Sequence, residues 1–194
     1  MQRSEASEPA ATAQPIFYYD LGSPACYLVA EQIMAGLSVV PEWEPVLGVQ
    51  IGAIEPDPDR ESLAQLVDQH GMQPLRWPAQ WPPDTRMAML AATYAKRVGR
   101  AVAFSLASFR QAFAGGQDLG SENTVLIAAA ACEMHPTAVL KGIGLRSVGA
   151  ALDHAGARAL SAGVSSLPAI QIGSRVFEGD DSITRAADAL SVSR

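Results

Sequence analysis

Phe17-Tyr18-Tyr19-Asp20-Leu21-Gly22-Ser23-Pro24-Ala25-Cys26-Tyr27-Leu28 is the stretch on which the fold turns. Its start, with Ile16 before it, is the aromatic and β-branched composition of a buried strand, and Leu21-Gly22 carries the chain out into a turn. Ser23-Pro24 then reads as an N-cap and first helical position. The Ser oxygen can accept a first-turn amide, and Pro lacks the N–H that the first turn leaves without a partner. Cys26, Tyr27, Val29, Ala30, Ile33 and Met34 keep helical spacing up to Gly36, which reads as a C-cap. A looser alternation over 39–47 predicts a second strand, so the opening unit is strand, helix, strand.

Working outward, 48–60 and 76–83 are rich in Gly, Pro and Trp and read as loops. Helical patterns are predicted over 61–69, 85–97, 102–113, 123–133 and 145–162, with Ser121-Glu122 and His135-Pro136-Thr137 bounding the fourth. The last part returns to β: a strand over 169–172, a two-residue hairpin turn at Gly173-Ser174, a returning strand over 175–177, and a helix over 183–190 behind Asp180 and Asp181. The expected class is α/β, a thioredoxin-like βαβ…ββα sheet with an α-helical insertion domain. Residues 15–58 and 163–194 would form the sheet domain, 59–162 the insertion, and 1–14 a disordered tail.

Composition narrows the function. The 194 residues are 48% hydrophobic and 18% charged, which suits a compact core, and the net charge of -6 argues against coating phosphate backbones or anionic lipid. No nucleic acid or membrane partner is expected. Cys26 and Cys132 are too far apart for a CxxC pair, and His70, His135 and His154 have no metal-ligand spacing, so no metal is expected. The longest apolar run, 125–132, is far short of a membrane helix, and 1–14 holds no export-type apolar run; the expectation is a cytoplasmic protein with reduced thiols.

Two positions in this layout face each other. The amides and positive dipole end of the helix starting at Ser23 make a site for an anion or a thiolate. Leu167-Pro168 stands just before the third strand, where a thioredoxin-like sheet calls for a cis bond and leaves the Leu167 backbone open to an extended thiol peptide. A dithiol oxidoreductase needs a thiolate at the helix start and a resolving thiol three residues on; here Ser23 holds the first place and Cys26 the second. A hydroxyl cannot form a mixed disulfide. It can donate a hydrogen bond to a bound thiol and, with the dipole, lower that thiol's pKa from about 8.5.

The opening stretch resembles the FYxDxxSPxSYL start of 2-hydroxychromene-2-carboxylate isomerases and kappa-class glutathione transferases, in the DsbA-like branch of the thioredoxin superfamily. Leu75-Arg76-Trp77-Pro78 and the run from Trp81 to Met89 are similar to that family's FRWP and FPxNTxxAxR. Val164-Ser165-Ser166-Leu167-Pro168-Ala169 resembles its GVFGVPT, and Phe177-Glu178-Gly179-Asp180-Asp181-Ser182-Ile183 its FWGNDRL. The blocks follow the family's order across nearly the whole chain. The resemblance implies glutathione as cofactor, with Ser23 activating its thiol and Leu167, Pro168, Asp180 and Asp181 binding it. It also implies Arg76, Trp77, Trp81 and Asp84 as contacts for an aromatic or conjugated carboxylate, and a homodimer. In the implied reaction the thiolate adds to a conjugated carbon, the ring opens, a bond rotates and the thiol leaves; a kappa-type transferase would release the conjugate instead.

Other readings of the same residues stay open. Ser23 also serves as a structural cap, Asp180 and Asp181 as acids compensating a helix dipole, and the tryptophans as packing for a Pro-rich loop. A DsbA-like thiol-disulfide oxidoreductase working through Cys26, or a binding module that kept the fold and lost its cofactor, are the competing functions. Two departures bear on them: Cys26 stands where the family has a second Ser, and the single Asn of the chain, Asn123, lies far from the loop over 48–53.

Overall fold

The computed structural model describes residues 14–53 and 57–192. The tail expected over 1–14 lies outside them except for Gln14. β1 (Ile16–Tyr19), α1 (Pro24–Gly36) and β2 (Glu42–Pro45) open the chain. Then come α2 (Arg60–Gln69), α3 (Arg86–Arg97), α4 (Ala101–Phe109), α5 (Glu122–Ala130), α6 (Pro136–Ile143) and α7 (Arg146–Ser161). β3 (Ala169–Ile172), β4 (Arg175–Glu178) and α8 (Ser182–Val192) close it. The strands form one sheet in the order β2-β1-β3-β4, with β1 parallel to β2 and antiparallel to β3, and β3 antiparallel to β4. This is the expected βαβ…ββα sheet, with α2 to α7 between its halves.

Alternation along β1 sorts the core. Phe17 and Tyr19 face one side, where their rings stack at 5.3 Å and Trp43 of β2 meets them edge-on at 5.0 and 5.6 Å. Phe104 and Phe109 of α4 and Phe113 after it join the same cluster, so the helical block and the sheet share one apolar core. The Tyr19 hydroxyl reaches that core and is satisfied there by Ser105 Oγ at 2.6 Å. Tyr18 points the other way, into a smaller cluster with Val46, Ala169 and the α7 residues Ala155 and Ala159.

The structure corrects several boundaries. β2 is shorter than the 39–47 expectation, and Val40 is exposed. The helix expected over 123–133 stops at Ala130, and α6 occupies what reads in the sequence as a boundary. His135-Pro136 there repeats the device of Ser23-Pro24: His135 Nδ1 accepts from the Thr137 amide at 3.2 Å, with Pro at the helix start. α4 is followed by a π-type turn over Arg110–Ala114. Gly36 is the last residue of α1 rather than its cap, which is the extended Leu37. A Cβ on Gly36 would collide with Ile183 of α8, so this glycine sets how closely the two helices approach. Among the described residues no helix is long and apolar enough to cross a membrane, and no group of three or more His, Cys, Asp or Glu is arranged to hold a metal.

One charged group in the sheet is nearly buried. Glu44 of β2, its side chain 7% exposed, takes Lys96 of α3 at 2.6 Å and Arg158 of α7, while Glu42 takes Lys96 at 2.6 Å. The carboxylate thus ties two helices to an edge strand. Glu44→Ala is expected to lower unfolding stability by about 2 kcal/mol, below the full cost for a buried pair because both cations keep water contact. Urea unfolding checks this; an unchanged midpoint would remove the role given to the group.

Candidate functional site

The site is built where β1 gives way to α1. Asp20 follows the strand and is 5% exposed. One of its oxygens accepts from the Gly22 amide at 2.8 Å and the other from the Gly48 amide at 2.8 Å, and the Thr85 hydroxyl donates to it as well. Burial pushes the Asp20 carboxyl above its ordinary value, against the downward pull of these three donors. Gly22 is required by close approach: a Cβ there would lie 2.6 Å from Thr85 Cγ2. The turn out of β1, the turn after β2 and the start of α3 therefore meet on one carboxylate.

Ser23 follows, extended at φ -95 and ψ 117, and its Oγ accepts from the Cys26 amide at 3.2 Å. The same hydroxyl is also hydrogen-bonded to the Cys26 side chain; a hydroxyl has one proton to donate and can turn it to a bound ligand. Pro24 starts the helix and no acid lies in the first turn, so the positive end of the dipole is uncompensated from within α1. Ser23 is half-buried and lines an open cleft. Leu167, before a Leu167-Pro168 bond that is cis, lines the same cleft. Pro168 itself is not among the residues that line it.

Most of the remaining wall is apolar: Ala53, Pro58, Leu63, Trp81, Pro82 and Pro83, the Trp81-Pro82 bond also being cis. Behind Trp81, Trp77 meets it edge-on at 4.8 Å and carries the Arg60 guanidinium at 4.2 Å from its ring centroid. The other substrate candidates lie elsewhere. Arg76 is exposed and outside the lining, its amide donating to the Phe113 carbonyl at 2.7 Å. Asp84 is exposed too, and its carboxylate accepts from the Arg86 amide at 3.1 Å at the start of α3. No Lys or Arg is among the described residues lining the cleft.

Asp180 is exposed and lines a second groove, between α1, α2 and α8, that shares Ala25 with the cleft. Asp181 is exposed and paired with Arg185 at 3.1 Å. Pro168 is buried and its carbonyl accepts from the Gly179 amide at 3.3 Å. Two residues escape a motif-led reading. Asp20 had a local signal, an acid two places before a turn glycine, which is the pattern of a carboxylate folding back on the chain. Glu178, whose carboxylate holds the Ser165 and Ser166 amides at 2.5 and 2.9 Å, had none, because the contact joins residues twelve and thirteen apart.

Cys26 is fully buried, and burial pushes its thiol up to about 12. Iodoacetamide at pH 8 is therefore expected to leave Cys26 unmodified in the folded protein, as peptide mapping would show; rapid labelling would overturn the assignment of an inert thiol. The linkage has a definite sign. The folded protein keeps a proton that the unfolded chain loses above its ordinary value of 9.0, so stability falls as pH rises from there towards 12, and Cys26→Ala flattens that slope. For Asp20→Ala, three buried donors lose their acceptor, and a loss of about 3 kcal/mol is expected in thermal unfolding. An unchanged melting temperature would refute the clamp.

Comparison with known proteins bears on this geometry. The family described as the DSBA-like thioredoxin domain matches residues 16–191. No curated protein matches the sequence. Among solved structures, a 2-hydroxychromene-2-carboxylate isomerase aligns with a TM-score of 0.78 at 16% identity, over 92% of this chain and 94% of its own. A probable DsbA oxidoreductase from Streptomyces coelicolor aligns with a TM-score of 0.76 at 16% identity, over 93% and 89%. The cytosolic disulfide reductase DsbM from Pseudomonas aeruginosa, in a structure with GSH, aligns with a TM-score of 0.66 at 12% identity, over 93% and 95%. At these identities the likeness is one of fold.

Proposed function

The chain belongs to the DSBA-like thioredoxin domain family, and from that premise we propose that it is a glutathione-dependent isomerase or transferase acting on small conjugated or aromatic molecules. The observation that carries this reading is Ser23: a capping hydroxyl at the start of a helix with no acid in its first turn, on the wall of an open cleft. When bound, glutathione supplies the sulfur that adds to a conjugated carbon and, in the isomerase case, departs after bond rotation. The chain's own residues prepare that chemistry. The Ser23 hydroxyl donates to the sulfur, and the α1 dipole favours the thiolate over the thiol. The Leu167 backbone, across the same cleft, pairs with the extended tripeptide, and Asp180 in the adjoining groove meets its ammonium end. Leu63, Trp81 and Pro82 shed water from the apolar end where the electrophile sits.

Support at the thiol end is that Ser23 and Leu167 line the same cleft. Fit at the electrophile end favours flat apolar molecules, since Trp81 offers a ring face or edge and the wall offers no cation among the described residues. The oxidoreductase alternative would need an exposed thiol, and Cys26 is fully buried. A cytoplasmic setting, where glutathione is abundant and thiols stay reduced, and a homodimer belong to the same proposal.

Ultraviolet titration of the thiolate in the glutathione complex tests the role of Ser23. In the wild type the bound thiol is expected to titrate below about 8.5. Ser23→Ala is expected to return it to its free value and to cut turnover about 100-fold, as loss of one charge-stabilising donor does. A bound thiol that titrates identically in both proteins would overturn the mechanism.

A further inference from the structure

The loop before Pro168 is held by a side chain that the proposed mechanism does not use. Glu178, at the end of β4, is paired in register with Ala169 of β3, and the next amide, Gly179, reaches back to the Pro168 carbonyl at 3.3 Å. From there its carboxylate spans the loop. One oxygen accepts from the Ser165 amide at 2.5 Å and the Ser166 amide at 2.9 Å, and the other accepts from the Ser165 hydroxyl at 2.8 Å. All these donors belong to the two residues immediately before Leu167, which lines the same cleft as Ser23. The Glu178 backbone is fixed as well, since its carbonyl takes Arg185 Nη2 of α8 at 2.5 Å and Arg185 is in turn paired with Asp181 at 3.1 Å.

The contact joins one carboxylate to two amides and a hydroxyl, so the loop is anchored by directional, charge-assisted bonds. Such bonds fix backbone orientation more tightly than apolar contact, and orientation is what a backbone pairing with an extended ligand needs. The hydrogen bonds also hold the Glu178 carboxyl below its ordinary range despite partial burial, so the carboxylate form is the one present at neutral pH.

We propose that Glu178 is a positioning residue for the thiol-ligand site, setting the Ser165-Ser166-Leu167 backbone in the orientation that receives the extended ligand. This rests on the reading of Leu167 as a glutathione contact. Glu178 touches no reacting atom, so its loss weakens ligand binding and leaves the chemical step alone.

Hydrogen exchange of the segment over 164–168 and glutathione titration, on the full chain and its variants, test the proposal together. Glu178→Ala is expected to speed exchange in that segment and to raise KM for glutathione by about tenfold each, with kcat within about twofold. Glu178→Gln keeps an oxygen that can accept both amides, and it is expected to stay within about threefold of wild type in both readouts. Ser165→Ala removes only the hydroxyl bond and should fall between them, which keeps the comparison decisive if Glu178→Ala folds poorly. Exchange that is not faster in Glu178→Ala and Ser165→Ala overturns the role of Glu178 whatever the wild type binds. Faster exchange with unchanged KM overturns the link from loop to ligand. A wild type that binds no glutathione overturns the cofactor reading, and the ligand half of this proposal with it, while the exchange data still decide the anchoring half.

Discussion

Everything around the cleft depends on one buried carboxylate. Asp20 collects donors from three segments: the turn out of β1, the turn after β2 at Gly48, and Thr85 at the start of α3. Taking a carboxylate out of water is costly, and three donors converging on it offset that cost and hold it in place. The consequence is geometric. Ser23 sits three residues past Asp20, and its amide donates to the Asp20 carbonyl at 3.1 Å, so the clamp orients the first turn of α1 relative to the loop that ends in Trp81, Pro82 and Pro83.

The same first turn shows how one helix start separates two chemistries. Position 23 is at the cleft and carries a hydroxyl; position 26 is inside the core and carries a thiol whose burial keeps it protonated. In the proposed reading the sulfur nucleophile therefore comes from a ligand, and the helix start supplies the field that favours its thiolate.

Much of this architecture is legible in the sequence because the signals are local. The aromatic run into Ser23-Pro24 and the Gly173-Ser174 hairpin each need only a few neighbouring residues to be read, and both stand where expected. α6 was hidden for a physical reason: Pro136 is at once a helix breaker and a favourable first helical residue, and only the turn that follows decides which. The site divides in the same way. Ser23 and Leu167 follow from their places in the fold and line one cleft. Trp77, Trp81, Arg76 and Asp84 sit close in sequence, yet only Trp81 reaches the cleft, because the direction of a loop side chain is set by contacts with distant segments. Arg76 is bonded through its backbone to Phe113, and the Asp84 carboxylate turns to the Arg86 amide at the start of α3.

The shared core of sheet and helical block has a consequence for how such a protein can change. Phe17, Tyr19, Phe104 and Phe109 lie in one cluster, so neither half retains a complete interior if the other is removed. The cleft wall is different, since Ala53, Pro58, Trp81, Pro82, Pro83 and Leu167 all lie in connecting segments. Substitutions there alter what the pocket admits while leaving the interior intact, so ligand preference can diverge quickly on a scaffold that itself must stay nearly constant.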